Sequence, residues 1–137
     1  MCGESFVALE RPVGSLAVAA MEYMDFNIKK SPGRYKGQTV LVLEGPLTRT
    51  TLTEFEDVVR AEKATALIVD LSAVPYVDSD GLGAIIKAHV SMSKTGRRLA
   101  LASVPARLQA LLKVTGVGQI IATFLTTKDA EKKLRGK

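Results

Sequence analysis

The sequence predicts an α/β domain built on a five-stranded, mostly parallel sheet. Three observations carry this reading. From about residue 24, short strand-like segments alternate with segments of helical period, the pattern of strand–helix–strand units. The run Leu67-Ile68-Val69 is continuously apolar rather than alternating, as in a central strand covered on both faces. The first two strand-like segments have no helix between them, so the first strand is expected to lie antiparallel at an edge. The order is then β-β-α-β-α-β-α-β-α, with right-handed crossovers.

Each element has its own signal. Phe26 and Ile28 alternate with polar neighbours and mark the first strand, and Ser31 to Gly37 is rich in turn formers. Val40 to Leu43 is the second strand, stopped by Gly45-Pro46. Thr51-Leu52-Thr53-Glu54 matches a capping box, in which hydroxyl and carboxylate satisfy free N–H groups reciprocally. Leu52, Phe55 and Val59 follow at helical spacing, with Glu56, Asp57 and Arg60 turned to water. After the 67–69 strand, a helix from about Asp80 carries Leu82, Ile85, Ile86 and His89 on one side and Lys87, Ser91 and Lys94 on the other. Gly96 suits its C-terminal cap. Leu99 to Ala102 is the fourth strand. Pro105 suits the first turn of a helix whose inner stripe is Leu108, Leu111 and Leu112, closed near Gly116. Ile120 to Leu125 is the fifth strand, and a charged helix over 127–135 turns Ala130 and Leu134 inward.

Composition narrows the function classes. A chain of 137 residues with 47% hydrophobic and 24% charged residues holds one core, so one domain is expected over 23–137, preceded by an extension over 1–22. That extension reads as flexible, or as a start codon set too early. Val13 to Ala20 is faintly like a signal-peptide core, but Glu4 and Glu10 spoil the positive region such a signal needs. No run of about 18 apolar residues exists, so no membrane insertion is expected. The single cysteine, Cys2, fits a reducing, cytoplasmic setting. With one histidine and no tryptophan, neither a zinc nor a haem centre is expected, nor any other metal or cofactor. The net charge of +5 is scattered, with a mild excess at Lys128, Lys132, Lys133, Arg135 and Lys137. Without a basic stripe interleaved with aromatics, nucleic-acid binding is not expected.

The run Asp78-Ser79-Asp80-Gly81-Leu82-Gly83 draws the functional reading. It puts a hydroxyl and two carboxylates at one helix N-terminus, where negative charge is favoured. Helix capping by Asp78 and Ser79 explains part of it. Two glycines at a helix start cost up to about 1 kcal/mol each relative to alanine, which suggests that a partner protein or a neighbouring turn approaches the backbone closely. No histidine or lysine lies near in sequence to complete a nucleophilic set, and no phosphate-binding GxxxxGK[ST] loop is present. No catalytic residue is assigned, and His89 reads as a packed, hydrogen-bonded side chain.

These residues resemble a known family. Val69-Asp70-Leu71-Ser72, followed by Val77-Asp78-Ser79-Asp80-Gly81-Leu82-Gly83, is similar to the signature of STAS domains, the domains of bacterial anti-sigma factor antagonists (anti-anti-sigma factors). The likeness runs from about Met24 to Leu134, through Glu44-Gly45-Pro46-Leu47, the Pro105 helix and Leu111-Leu112-Lys113-Val114-Thr115-Gly116-Val117. It implies signal transduction by partner switching in transcription regulation. In that family the unmodified antagonist binds an anti-sigma factor of the serine kinase type, and phosphorylation at the helix start breaks the complex. A phosphate adds about 1.5–2 negative charges, enough to separate two surfaces without refolding either.

Two departures fall at the switch. The resemblance puts the usual phosphoacceptor at the position of Asp80, which a serine kinase cannot modify. Ser79 matches the preceding serine and is the alternative phosphosite. Thr48 stands where many antagonists carry an aspartate. The expected function is therefore an antagonist-like regulator, not an enzyme, that binds an anti-sigma factor or other regulatory protein without phosphorylation at Asp80. Its binding turn is 78–83, with Lys87, Ser91 and Lys94 as further contacts. A STAS module in a stress-signalling scaffold or transport complex is the alternative, and a weak nucleotide hydrolase using Asp78 and Asp80 the minor one. Oligomeric state stays open.

Overall fold

The structure, a computed structural model, describes residues 25–135. The proposed 1–22 extension with its domain boundary, Cys2, the Val13–Ala20 stretch and Lys137 lie outside the described residues. Five strands form one sheet: β1 (Asn27–Pro32), β2 (Gln38–Glu44), β3 (Ala66–Ala73), β4 (Arg98–Ala102) and β5 (Ala122–Phe124). They lie side by side in chain order, β1 antiparallel to β2 and all other neighbours parallel. Four helices connect or follow them: α1 (Leu52–Ala61), α2 (Ser79–Ser93), α3 (Ala106–Thr115) and α4 (Thr127–Lys133).

Sequential parallel strands joined by crossovers of one hand place every crossover helix on the same face. Accordingly α1, α2 and α3 share one core with one face of the sheet, where Leu41, Leu67, Val69 and Leu101 meet Phe55, Ile85, Met92 and Leu112. Each large apolar side chain fully buried there contributes on the order of 2 kcal/mol. Among the described residues only α4, which follows β5, reaches the other face, and there Ala130 and Leu134 cover Val40, Ile68, Ala100 and Ala102. The apolar run in β3 is thus covered on both sides, as its lack of alternation predicts.

Local expectations fail at four points. The Thr51–Glu54 capping box does not form. The Thr51 hydroxyl turns back to donate to the Pro46 carbonyl (2.8 Å) and to accept from the Thr48 N–H (2.9 Å), so it makes no cap bond to its own helix. The expected fifth strand over 120–125 shrinks to three residues. A 3₁₀ turn at Val117–Gln119 occupies the chain just before it, after Gly116 closes α3 with φ +80°. Pro105 sits one residue earlier than expected, at the N-cap of α3. Glu56, expected in water, is half-buried.

Candidate functional site

Where β3 gives way to α2, the chain passes through a turn ending in Asp78. Asp78 is the N-cap of α2: its Oδ1 accepts from the Gly81 N–H at 2.7 Å. Its Oδ2 accepts from the Arg49 N–H at 3.0 Å. One carboxylate therefore ties the helix start to the loop after β2. Backbone bonds add to the tie, from Asp78 N–H to the Leu47 carbonyl (3.3 Å) and from Leu47 N–H to the Tyr76 carbonyl (3.0 Å), with a parallel bridge between Leu47 and Val77.

Gly81 belongs to the same clamp. A Cβ there would collide with the Leu47 carbonyl, so the close neighbour its sequence position suggested is the chain's own loop. Gly83 differs, because a Cβ there would meet nothing within 4 Å. Gly81 and Leu82 are buried, and Leu82 joins the helix-side core. Ser79 is the first helical residue rather than a cap, and it is exposed, as is Asp80. Among the described residues Asp80 forms no ion pair and no side-chain hydrogen bond.

Asp80, Gly83, Lys87, Ser91 and Lys94 are all exposed and recur at intervals of three and four residues, so they line one outward stripe of α2. The Lys87 ammonium lies 3.3 Å from Glu56 of α1. A shallow groove of about 170 Å³ runs between α1 and α2, lined in part by Glu56, Lys87, Ser91 and Arg97. Thr48 is fully buried beside the clamp, its hydroxyl 3.0 Å from that of Thr50. Asp70 serves the fold: its carboxylate accepts from the Ser72 N–H (2.8 Å) and from the Thr127 hydroxyl (3.0 Å), fastening α4 to β3. His89 is half-buried on α2, and its Nδ1 has no hydrogen-bond partner among the described residues, contrary to the bonded histidine expected. Sequence reasoning missed Leu47 and Arg49. The Gly45-Pro46 stop marks their loop, but nothing local shows that it packs on residue 78. No cluster of three or more metal-ligating side chains occurs among the described residues. No helix among them is long and apolar enough to cross a membrane.

This strand–clamped turn–helix unit matches a known family model, that of the STAS domain, over residues 25–130. The chain belongs to the STAS domain family. Over 74 residues it is 32% identical to the anti-sigma-B factor antagonist of Listeria monocytogenes, a match covering 54% of this chain and 65% of that relative. It thus spans a little under two thirds of the relative's length. A crystal structure of an anti-sigma factor antagonist from Mycobacterium paratuberculosis shares the fold with a TM-score of 0.69 and 21% identity, over 80% of this chain and 96% of that one. A sulfate transporter family protein from Wolinella succinogenes does so with a TM-score of 0.66 and 22% identity, over 72% of this chain and 84% of that one. At such identities the two structures speak for the fold alone, and the STAS fold is present in both settings.

Proposed function

We propose that this STAS domain is an antagonist-like regulator that works by protein–protein binding through the start and outward stripe of α2. The observation that carries the reading is Asp80: an exposed carboxylate without a partner among the described residues, on a helix start that Asp78 and Gly81 tie to the neighbouring loop. A clamped backbone presents its charge at fixed cost, so little ordering entropy opposes binding. Gly83 leaves room over the helix, and Ser79 stands beside Asp80 as the hydroxyl open to modification. Lys87, Ser91 and Lys94 extend the surface. Both Asp78 oxygens accept backbone N–H groups, so its carboxylate is engaged in holding the turn, which supports a structural part for Asp78 in a binding surface. The 32% identity to a named antagonist points the same way.

Asp80 in place of the acceptor hydroxyl gives a fixed charge, about half that of a phosphoserine. The partner in this reading is an anti-sigma factor of the serine kinase type, and its grip is not released by phosphate at residue 80. The test is binding and phosphorylation by the serine kinase encoded nearest the gene. Wild type is expected to bind and stay unmodified, whereas Asp80→Ser is expected to be phosphorylated and released. Folded Asp80→Lys and Gly83→Arg variants are expected to lose binding. If neither wild type nor Asp80→Ser binds, the antagonist reading fails, and the transport or scaffold assembly suggested by the second shared fold takes its place.

A further inference from the structure

The two edges of the sheet are built differently. The outer strand β1 carries Lys29, Lys30 and Pro32, residues that discourage another strand from pairing. The opposite edge, β5, reads Ala122-Thr123-Phe124, with no charge or proline in the strand. The Phe124 carbonyl accepts from Ser103 N–H on the β4 side, so alternation along the strand turns the amide and carbonyl of Thr123 outward. Thr123 is exposed, and Leu125 beside it is 80% exposed.

An open groove flanks this edge on each side. The α3-side groove, about 370 Å³, has Leu112, Leu125 and Lys113 in its lining. The α4-side groove, about 550 Å³, is lined by Lys132, Lys133 and Arg135 against the single acid Asp129. Arg135 also lies over the Tyr35 ring, 5.7 Å from its centroid. Among the described residues, cations therefore outnumber acids around a strand edge that no other strand pairs, with apolar flanks. Two copies meeting edge to edge would bring these cations together, which opposes self-pairing.

We infer that β5 is a docking edge for an extended acidic segment of a partner protein, which adds as a sixth strand. Strand alternation sends every second side chain into each groove. Apolar residues lie against Leu112 and Leu125, and carboxylates face Lys132 and Lys133. Main-chain bonds to Thr123 supply much of the grip. This surface shares no residue with the Asp80 stripe, so its fate and that of the antagonist reading are independent.

The test uses the full chain and a fluorescent peptide of alternating valine and glutamate, read by anisotropy. The acidic peptide is expected to bind, and a valine–lysine peptide of equal length is not. Lys132→Glu with Lys133→Glu should weaken binding about tenfold. Thr123→Pro should abolish it, as should N-methylation of the peptide amides that face the edge, a change that leaves the protein untouched. Failure of the acidic peptide to bind, equal binding of the lysine peptide, or indifference to N-methylation overturns the inference. A dimer in sedimentation that Thr123→Pro dissolves also overturns it, and assigns the edge to a second copy.

Discussion

At the N-terminal end of the parallel strands, Glu62 is 8% exposed and bound by several donors; at the other end, Asp80 is exposed and engages nothing among the described residues. One Glu62 oxygen accepts from the Thr39 hydroxyl (3.0 Å) and from the N–H groups of Lys63 (3.1 Å) and Ala64 (2.9 Å). The other lies 3.3 Å from the Lys30 ammonium, an ion pair without hydrogen-bond alignment. Arg97 donates to the Glu62 carbonyl as well (2.8 Å). Glu62 thus acts on the fold, whereas the Asp80 carboxylate faces solvent. The difference teaches that an acid's role here follows from the donors that surround it, not from its place at an element boundary, since both stand at a helix end.

The sharpest way to break this comparison is at the clamp beneath Asp80. Gly81→Val drives a branched side chain into the Leu47 carbonyl and should cost about 3 kcal/mol or more in denaturant unfolding. A variant of native stability would show that the loop is not held against the helix.

Glu62→Ala strands three donors and should cost about 2–3 kcal/mol. Burial pushes the Glu62 pKa up, but the bonds from Ala64 and Thr39 and the ion pair with Lys30 outweigh it and leave the pKa lowered. A lowered folded pKa means that the stabilisation is complete above the ordinary glutamate range. It is lost as pH falls through the folded value. The wild-type chain should therefore lose stability as pH falls below the ordinary glutamate range, and Glu62→Gln should flatten part of that acid limb. An unchanged limb would remove Glu62 as its source.

Asp78→Ala removes the cap and the tie to Arg49, for an expected loss of about 1–2 kcal/mol in the same unfolding assay. Asp80→Asn should shift stability by less than about 0.5 kcal/mol while partner binding falls. A large stability loss there would make Asp80 a second structural acid and erase the contrast.

The architecture was legible where one segment's pattern decides its environment. The apolar run in β3 and the inner stripes of α2 and α3 need no knowledge of distant residues. The unevenness of the two faces follows from strand order, which no local pattern carries. Asp78 was readable as a cap because the cap bond spans three residues, but its second bond reaches 29 positions back to Arg49. The Thr51–Glu54 motif misled because the Thr51 hydroxyl has a nearer use in the buried turn at Pro46 and Thr48. Gly81 and Gly83 look alike in sequence, and only the Leu47 carbonyl separates a packing glycine from an open one.

The strands of this sheet stand in the order in which they occur in the chain. During synthesis, each new strand after β1 therefore finds its neighbour already made, and no gap must be held open for a later insertion. Each closure spans a single crossover, and its entropy cost grows only slowly with the length of that crossover. The far face is different: Ile68 and Val40 must wait for Ala130 and Leu134, the last packed residues of α4 and its cap. Among the described residues nothing else covers that side, so its closure waits on a helix seven residues long.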